Sequence, residues 1–261
     1  MNDTDTVQVI PLARLAAAFV PVGLVLLLVH RWSLDLRTSL VALFRMVSQL
    51  LLVGYVLTFI FGSSTALVSL AVTSLMLAVA GWIALRPLDT DRPRQYPTAV
   101  IAIGLGGVTV LAVATQVVLA VPRWHDASIV IPLAGIVLAN SMNSVSLAAE
   151  RFRAERQRGA SYTGARHTAM TTALIPMTNS LLAVGLVSLP GMMTGQILAG
   201  ITPLIAVRYQ ILIMCMIFGS SGLATGSYLA LQRPREENDP PQKTVMRRSS
   251  LKTDDPRVGR P

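Results

Sequence analysis

The sequence predicts an all-α, polytopic membrane protein: a transmembrane helical bundle of about seven spans, N-terminus outside and C-terminus cytoplasmic. Three observations predict it. Of the 261 residues 52% are hydrophobic and only 13% charged, against about 25% charged in a soluble domain. The shortage is concentrated, because long uncharged runs alternate with short charged ones, as spans alternate with loops. The basic residues then fall almost entirely on one side of that alternation.

The runs are continuous, whereas barrel strands would be shorter and place a polar residue at every second position. Their expected bounds are Ile10–Val29, Thr38–Phe61, Ser64–Leu85, Thr98–Val121, Ser128–Ala149, Thr171–Leu189 and Val207–Leu231. Span one follows an acidic start, Met1-Asn2-Asp3-Thr4-Asp5, which lacks the positive region of a secretory signal, so it reads as a retained span. Arg31 and Arg37 follow span one, and Arg86, Arg92 and Arg94 follow span three. Span five is followed by Arg151, Arg153, Arg156, Arg158 and Arg166. With the tail from Arg233 onward, eighteen of the 22 Lys and Arg share one side. The positive-inside rule makes that side the cytoplasm.

Residues 1–232 therefore read as one transmembrane domain, and 233–261 as a basic cytoplasmic tail too poor in apolar residues to fold alone. The formal net charge of +9 reflects topology, not nucleic-acid binding. The single cysteine, Cys215, excludes an intrachain disulfide and a cysteine-based zinc site. Met214-Cys215-Met216 cannot converge on one ion, because successive helical residues point about 100° apart.

No Asp or Glu lies inside any span, and His30, His125 and His167 sit at edges or in loops. That disfavours a proton relay, which uses intramembrane Asp, Glu or His. Lys243 and Lys252 are the only lysines, and neither follows the spacing of a phosphate-binding loop. Gly104-Leu105-Gly106-Gly107 sits within span four, where small residues mean close helix packing. Gly222 and Gly226 form a second such pair, for contact within the subunit or across a dimer.

The polar residues inside the spans are the pathway candidates: Arg45 and Gln49 in span two, Asn140, Asn143 and Ser144 in span five, and Asn179 in span six. The spacings i, i+4 and i, i+3, i+4 place each set on one helical face. Two roles stay open: lining a hydrated path near the bundle axis, or hydrogen bonding that only holds the helices together. Pro176 and the break Leu189-Pro190-Gly191-Met192-Met193 are the gate candidates, since Pro and Gly interrupt a span only against protein or water. The loop Glu150–Met170 opens with a charged, helix-prone stretch around Phe152 that Gly159 interrupts. It is expected to form a short helix along the membrane surface.

The chain resembles the iron-export ABC-transporter permease family (FetB type), with its plant aluminium-tolerance relatives. The matching residues run from Arg45-x-x-x-Gln49-Leu50-x-x-Val53-Gly54-Tyr55 through Ile131-Pro132-Leu133-Ala134-Gly135, Ala139-Asn140-Ser141-Met142 and Ala173-Leu174-Ile175-Pro176. They continue through Val184-Gly185-Leu186-Val187-Ser188-Leu189-Pro190-Gly191-Met192-Met193 to Tyr209-Gln210. The resemblance implies a multi-pass inner-membrane permease, not an enzyme, that holds no cofactor of its own. A separate ABC ATPase would bind ATP and Mg, two permeases pairing with two ATPases to export a metal ion, iron foremost. Glu150, Arg151, Phe152, Glu155, Gly159 and Ala160 would then couple to that ATPase. An ion-coupled carrier and a non-transporting scaffold are the alternatives. Where family members carry Leu-Gly-Ala before span six, this chain reads Arg158-Gly159-Ala160.

Overall fold

The computed structural model describes residues 10–61 and 65–232; the acidic start and the basic tail lie outside them. The helices are α1 (Leu12–Ala17), α2 (Phe19–Arg31), α3 (Leu36–Phe61), α4 (Ala66–Ala84), α5 (Arg92–Ala112), α6 (Ala127–Gln157), α7 (Tyr162–Ala183), α8 (Gly191–Leu198) and α9 (Pro203–Leu231). A 3₁₀ turn over Arg86–Asp91 precedes α5, and a π-helical turn over Val113–Val118 extends it. No strand occurs among the described residues.

Six described stretches are long and apolar enough to cross a membrane. Helix α7 is not one of them, because Arg166, His167, Asn179 and several Thr dilute its apolar residues. It nevertheless crosses beside α6 and α9. Tyr162 at its start donates to the Leu229 carbonyl at the end of α9 (2.8 Å), and its other end leads through α8 to the start of α9. The chain is a multi-pass bundle of about seven traverses.

Three predicted bounds shift. Span five continues two turns beyond Ala149 to Gln157, so Glu150, Arg151, Phe152 and Glu155 belong to α6 and not to a separate surface helix. These residues favour helix, and Arg151 pairs with Glu155 one turn on at 2.7 Å. Span six moves back: α7 starts at the Ser161 cap, whose hydroxyl accepts from the Gly164 N–H, and ends at Ala183. Gly185, at φ +86°, reverses the chain there, a backbone that L side chains rarely adopt. Span four begins six residues early, at Arg92.

The ends sort as the arginines do. Gln95 and Gln232 exchange amide hydrogen bonds of 3.2 and 2.7 Å, and Arg153 donates to the Leu88 carbonyl at 2.8 Å. The starts of α5 and α7 and the finishes of α6 and α9 therefore meet at one end. At the other, Ser69 near the start of α4 donates to the His125 carbonyl beside α6 (2.7 Å).

The core joins α4, α5, α6, α7 and α9 through small residues. Ala99, Ala102, Ala148, Ala165, Ala169, Ala173 and Ala224 are fully enclosed. Between lipid-solvated helices the gain comes from close packing, which small side chains permit. Helices α2 and α3 bury no described residue.

Asp126 caps α6, accepting from the Ser128 hydroxyl (2.7 Å) and N–H (3.1 Å). The Ser128 hydroxyl, then its N–H, hold the carboxyl below its ordinary value of 3.8. A depressed carboxylate stabilises the fold above its unfolded pKa, and the contribution fades as pH falls through the lower folded value. Asp126→Ala should therefore melt below the wild type at neutral pH. The gap should close only below pH about 4, measured by thermal unfolding across pH; a gap unchanged down to acid would refute the carboxylate's role.

Candidate functional site

The convergence of helix ends at the arginine-rich face builds a cluster of polar and charged contacts. Helix α6 finishes in a Schellman cap: the Gly159 N–H reaches the Arg156 carbonyl (3.0 Å), and the Ala160 N–H reaches that of Glu155 (3.1 Å). This closure needs the left-handed backbone that Gly159 takes at φ +86°. Only residues 158–161 then separate α6 from α7. Gly159 and Ala160 thus fix the angle between two long helices.

Behind the connection Phe152, 6% exposed, meets the Tyr162 ring edge-on at 6.0 Å and 79°. Arg166 lies over the Tyr162 ring, 5.6 Å from its centroid. Glu155 accepts from Arg151 at 2.7 Å and from Arg158 at 3.2 Å. Arg156 donates to the Ala160 carbonyl (2.6 Å), while Arg153 approaches Asp91 at 3.7 Å. Glu150 stays exposed. With Arg153, Arg156, Arg158 and Arg166 beside them, the coupling candidates form one net-basic platform that meets α7, α9 and the turn before α5 together.

The pathway candidates are not gathered in the interior. Arg45 and Gln49 are exposed on α3, Asn179 is exposed near the end of α7, and Asn143 is exposed at mid-α6. Asn140 is half-buried, its amide donating to the Ile136 carbonyl of its own helix (2.8 Å). Ser144 turns the other way, 1% exposed, with no partner for its hydroxyl. The 100° step between Asn143 and Ser144 leaves the first exposed and the second enclosed, with Asn140 at the boundary between them.

Of the gate candidates, Pro176 lies exposed within α7. Pro190 is the N-cap of α8, Gly191 its first residue, and Met192 and Met193 lie on its first turn. Leu189 is exposed beside them. The break is a helix start beyond a finished α7, rather than a kink within a span.

Sequence reasoning missed the buried hydroxyls. Ser141 on α6 and Ser221 and Thr225 on α9 are wholly enclosed and unpartnered, and the Gln210 carbonyl oxygen is too. Single Ser and Thr residues in apolar spans carry no periodic signal; only the mid-span Ser220-Ser221 pair hinted at them. A Cβ at Gly222 or Gly226 would meet nothing within 4 Å, so that pair makes no close helix crossing among the described residues. Met214, Cys215 and Met216 diverge into half-buried, exposed and buried positions. Among the described residues no three His, Cys, Asp or Glu side chains group to hold a metal.

Residues 12–235 match the model of the family described as "Uncharacterised protein family (UPF0014)". The chain belongs to the UPF0014 family. A Synechocystis relative, "UPF0014 membrane protein slr1647", is 35% identical over 69% of this chain and 76% of its own. The Escherichia coli relative named "Probable iron export permease protein FetB" is 33% identical over 81% of this chain and 86% of its own. The rice relative "UPF0014 membrane protein STAR2" is 31% identical over 80% and 77%. No solved structure matches the chain. The resemblance read from the Arg45, Asn140, Pro176 and Pro190 motifs thus identified the family correctly.

Proposed function

We propose that this UPF0014 chain is the permease subunit of an ABC transporter, exporting a metal ion, iron foremost, and worked by a separate ATPase. One observation carries the reading: the platform around Glu150, Arg151, Phe152, Glu155, Gly159 and Ala160, made basic by Arg153, Arg156, Arg158 and Arg166, ties α6 to α7, to α9 and to the turn before α5 at a single end. A force applied there reaches α6, α7, α9 and the turn that leads into α5 at once. The name of the Escherichia coli relative supports export of iron, and the arginine distribution supports a cytoplasmic platform.

The chain's own residues bind the cargo weakly. Asn140, Asn143 and Asn179 offer neutral amide oxygens, weaker ligands for Fe²⁺ than imidazole or carboxylate, and an exporter must also release what it binds. ATP and Mg would be held by the ATPase, two of which would serve two permeases. Movement of α6 and α7 would reach Pro176 and the Leu189–Met193 segment at the opposite end, which would act as the outer gate.

The test is co-expression with a candidate ABC ATPase from the same genome, followed by purification through a tag on the permease. The ATPase should co-purify, and Fe²⁺ should stimulate its hydrolysis several-fold. Metal transport in vesicles that continues with hydrolysis blocked, yet collapses with the ion gradient, would defeat the reading in favour of an ion-coupled carrier.

A further inference from the structure

Four hydroxyls stand unpartnered in the middle of the bundle. Ser141 and Ser144 on α6 and Ser221 and Thr225 on α9 are each at most 1% exposed, and none has a hydrogen-bond partner. A helical Ser or Thr can return its hydroxyl to a carbonyl one turn back. Thr172, Ser180 and Ser220 do so; these four do not. Gln210, also on α9 and 6% exposed, leaves its amide oxygen unpartnered as well. A buried polar group without a partner lowers stability, so packing alone does not explain five of them.

The five lie along one seam, between α6 and α9. Val137, two turns before Ser144 on the same face, packs with Ile213 and Met216 of α9. Ser221 shares its face with Tyr228, two turns on, which is enclosed with Val145 and Ala148 of α6. Ser141 and Thr225 lie one turn from these two serines, and Gln210 three turns before Ser221. Depths match too. Tyr162 ties Phe152 and Leu229 to one level, and Ser144 and Ser221 each stand eight residues before them. That is about 12 Å further into the membrane. Towards the outer end Leu133, Val137, Ile213 and Met216 close the seam; towards the cytoplasm Ala148, Phe152 and Tyr228 close it. The hydroxyls form a polar layer between two apolar ones.

We infer that this hydroxyl layer between α6 and α9 is an enclosed binding site for the cargo, a small divalent cation that enters with part of its water shell. Hydroxyl oxygens accept from coordinated water or meet the ion directly. The layer bears no charge, so it holds the ion loosely enough to let it go. The apolar layers on either side gate by excluding water until the helices part. The inference rests on the proposed function and deepens it: to the asparagine amides it adds a site inside each copy, on the enclosed face of α6.

The experiment uses the full chain in native membranes, in a Cys215→Ser background. Single cysteines are placed by Ser144→Cys and Ser221→Cys, with Val145→Cys, equally enclosed, as the control. A thiol in dry surroundings stays protonated and inert, whereas one that water reaches ionises and reacts. Methanethiosulfonate-ethylammonium should therefore modify Ser144→Cys and Ser221→Cys about tenfold faster than Val145→Cys. Equal rates at all three, or no reaction at the two serine positions, would overturn the inference. The second readout is the double variant Ser144→Ala with Ser221→Ala, co-expressed with the ATPase. Its Fe²⁺ transport in vesicles should fall about tenfold, while its melting temperature stays level or rises, since two unpartnered hydroxyls are gone. Undiminished transport, or a lowered melting temperature, would show that the hydroxyls serve the bundle and not the cargo. Labelling needs neither ATPase nor metal. A reactive seam without ATPase capture would sink the permease reading alone, and ATPase capture with an unreactive seam would sink only the site.

Discussion

Gly106→Leu should leave almost no folded bundle, and even Gly106→Ala should lower the melting temperature measurably. A Cβ at this position would stand 2.6 Å from the Ala224 backbone nitrogen and 2.8 Å from the Ser220 carbonyl oxygen. Both are backbone atoms of α9, so no rotamer change relieves the clash, and α5 and α9 must move apart. Their separation would open the core that encloses Ala99, Ala102, Ala224 and Tyr228. Overpacking of a tight core costs about 1–3 kcal/mol, and the bulk of Leu should exceed that range against a total stability of about 5–15 kcal/mol. Thermal unfolding in detergent provides the measure. Gly104→Ala and Gly226→Ala serve as controls, since a Cβ there meets only Leu77 Cδ2 at 3.4 Å or nothing within 4 Å. Equal melting of Gly106→Ala and Gly226→Ala would show that the close crossing is not real.

Phe152→Ala is expected to cost about 3–5 kcal/mol, the usual penalty for truncating a buried aromatic. Its effect should not stop at stability. Phe152 backs the Tyr162 ring, and Tyr162 in turn anchors α7 to the Leu229 carbonyl. Without the ring, the Schellman-capped connection keeps its local hydrogen bonds but loses its support against α9. ATPase capture should therefore fall further than it does for Glu150→Ala, an exposed neighbour whose loss disturbs no packing. Tyr162→Phe separates the two contributions, because it keeps the ring contact and removes only one hydrogen bond of about 0.5–1.5 kcal/mol. Should Phe152→Ala stay as stable as Glu150→Ala, the aromatic backing of the platform would be mistaken.

Hydropathy located the spans well where a helix ends at the hydrocarbon boundary. Spans two, three and seven differ from α3, α4 and α9 by a few residues at one end or both. It failed where a helix outlasts the bilayer or is polar within it. Helix α6 runs on through Glu150, Arg151 and Glu155 because backbone hydrogen bonding and an i, i+4 ion pair do not depend on lipid. Helix α7 is held by Ala165, Ala169 and Ala173 against the core, so its outer face can carry Thr171, Thr178 and Asn179 without losing its place. The candidate site was legible as residue types, since Asn143 and Arg45 stand out in apolar runs. Whether such a residue faces inward cannot be read from its own helix.

Residue order alone was enough for the all-helical membrane class, the end of the bundle that carries the arginines, and the family through its motifs. All three depend on composition along the chain, which lipid and charge read locally. The tertiary structure alone decided that Gly106, rather than Gly222 and Gly226, makes the close crossing. It also decided that Ser144 is enclosed while Asn143 faces out, and that Phe152 and Tyr162 join α6, α7 and α9 at one end. Those outcomes depend on how far each helix is rotated about its axis when it packs, and neighbouring helices fix that rotation together.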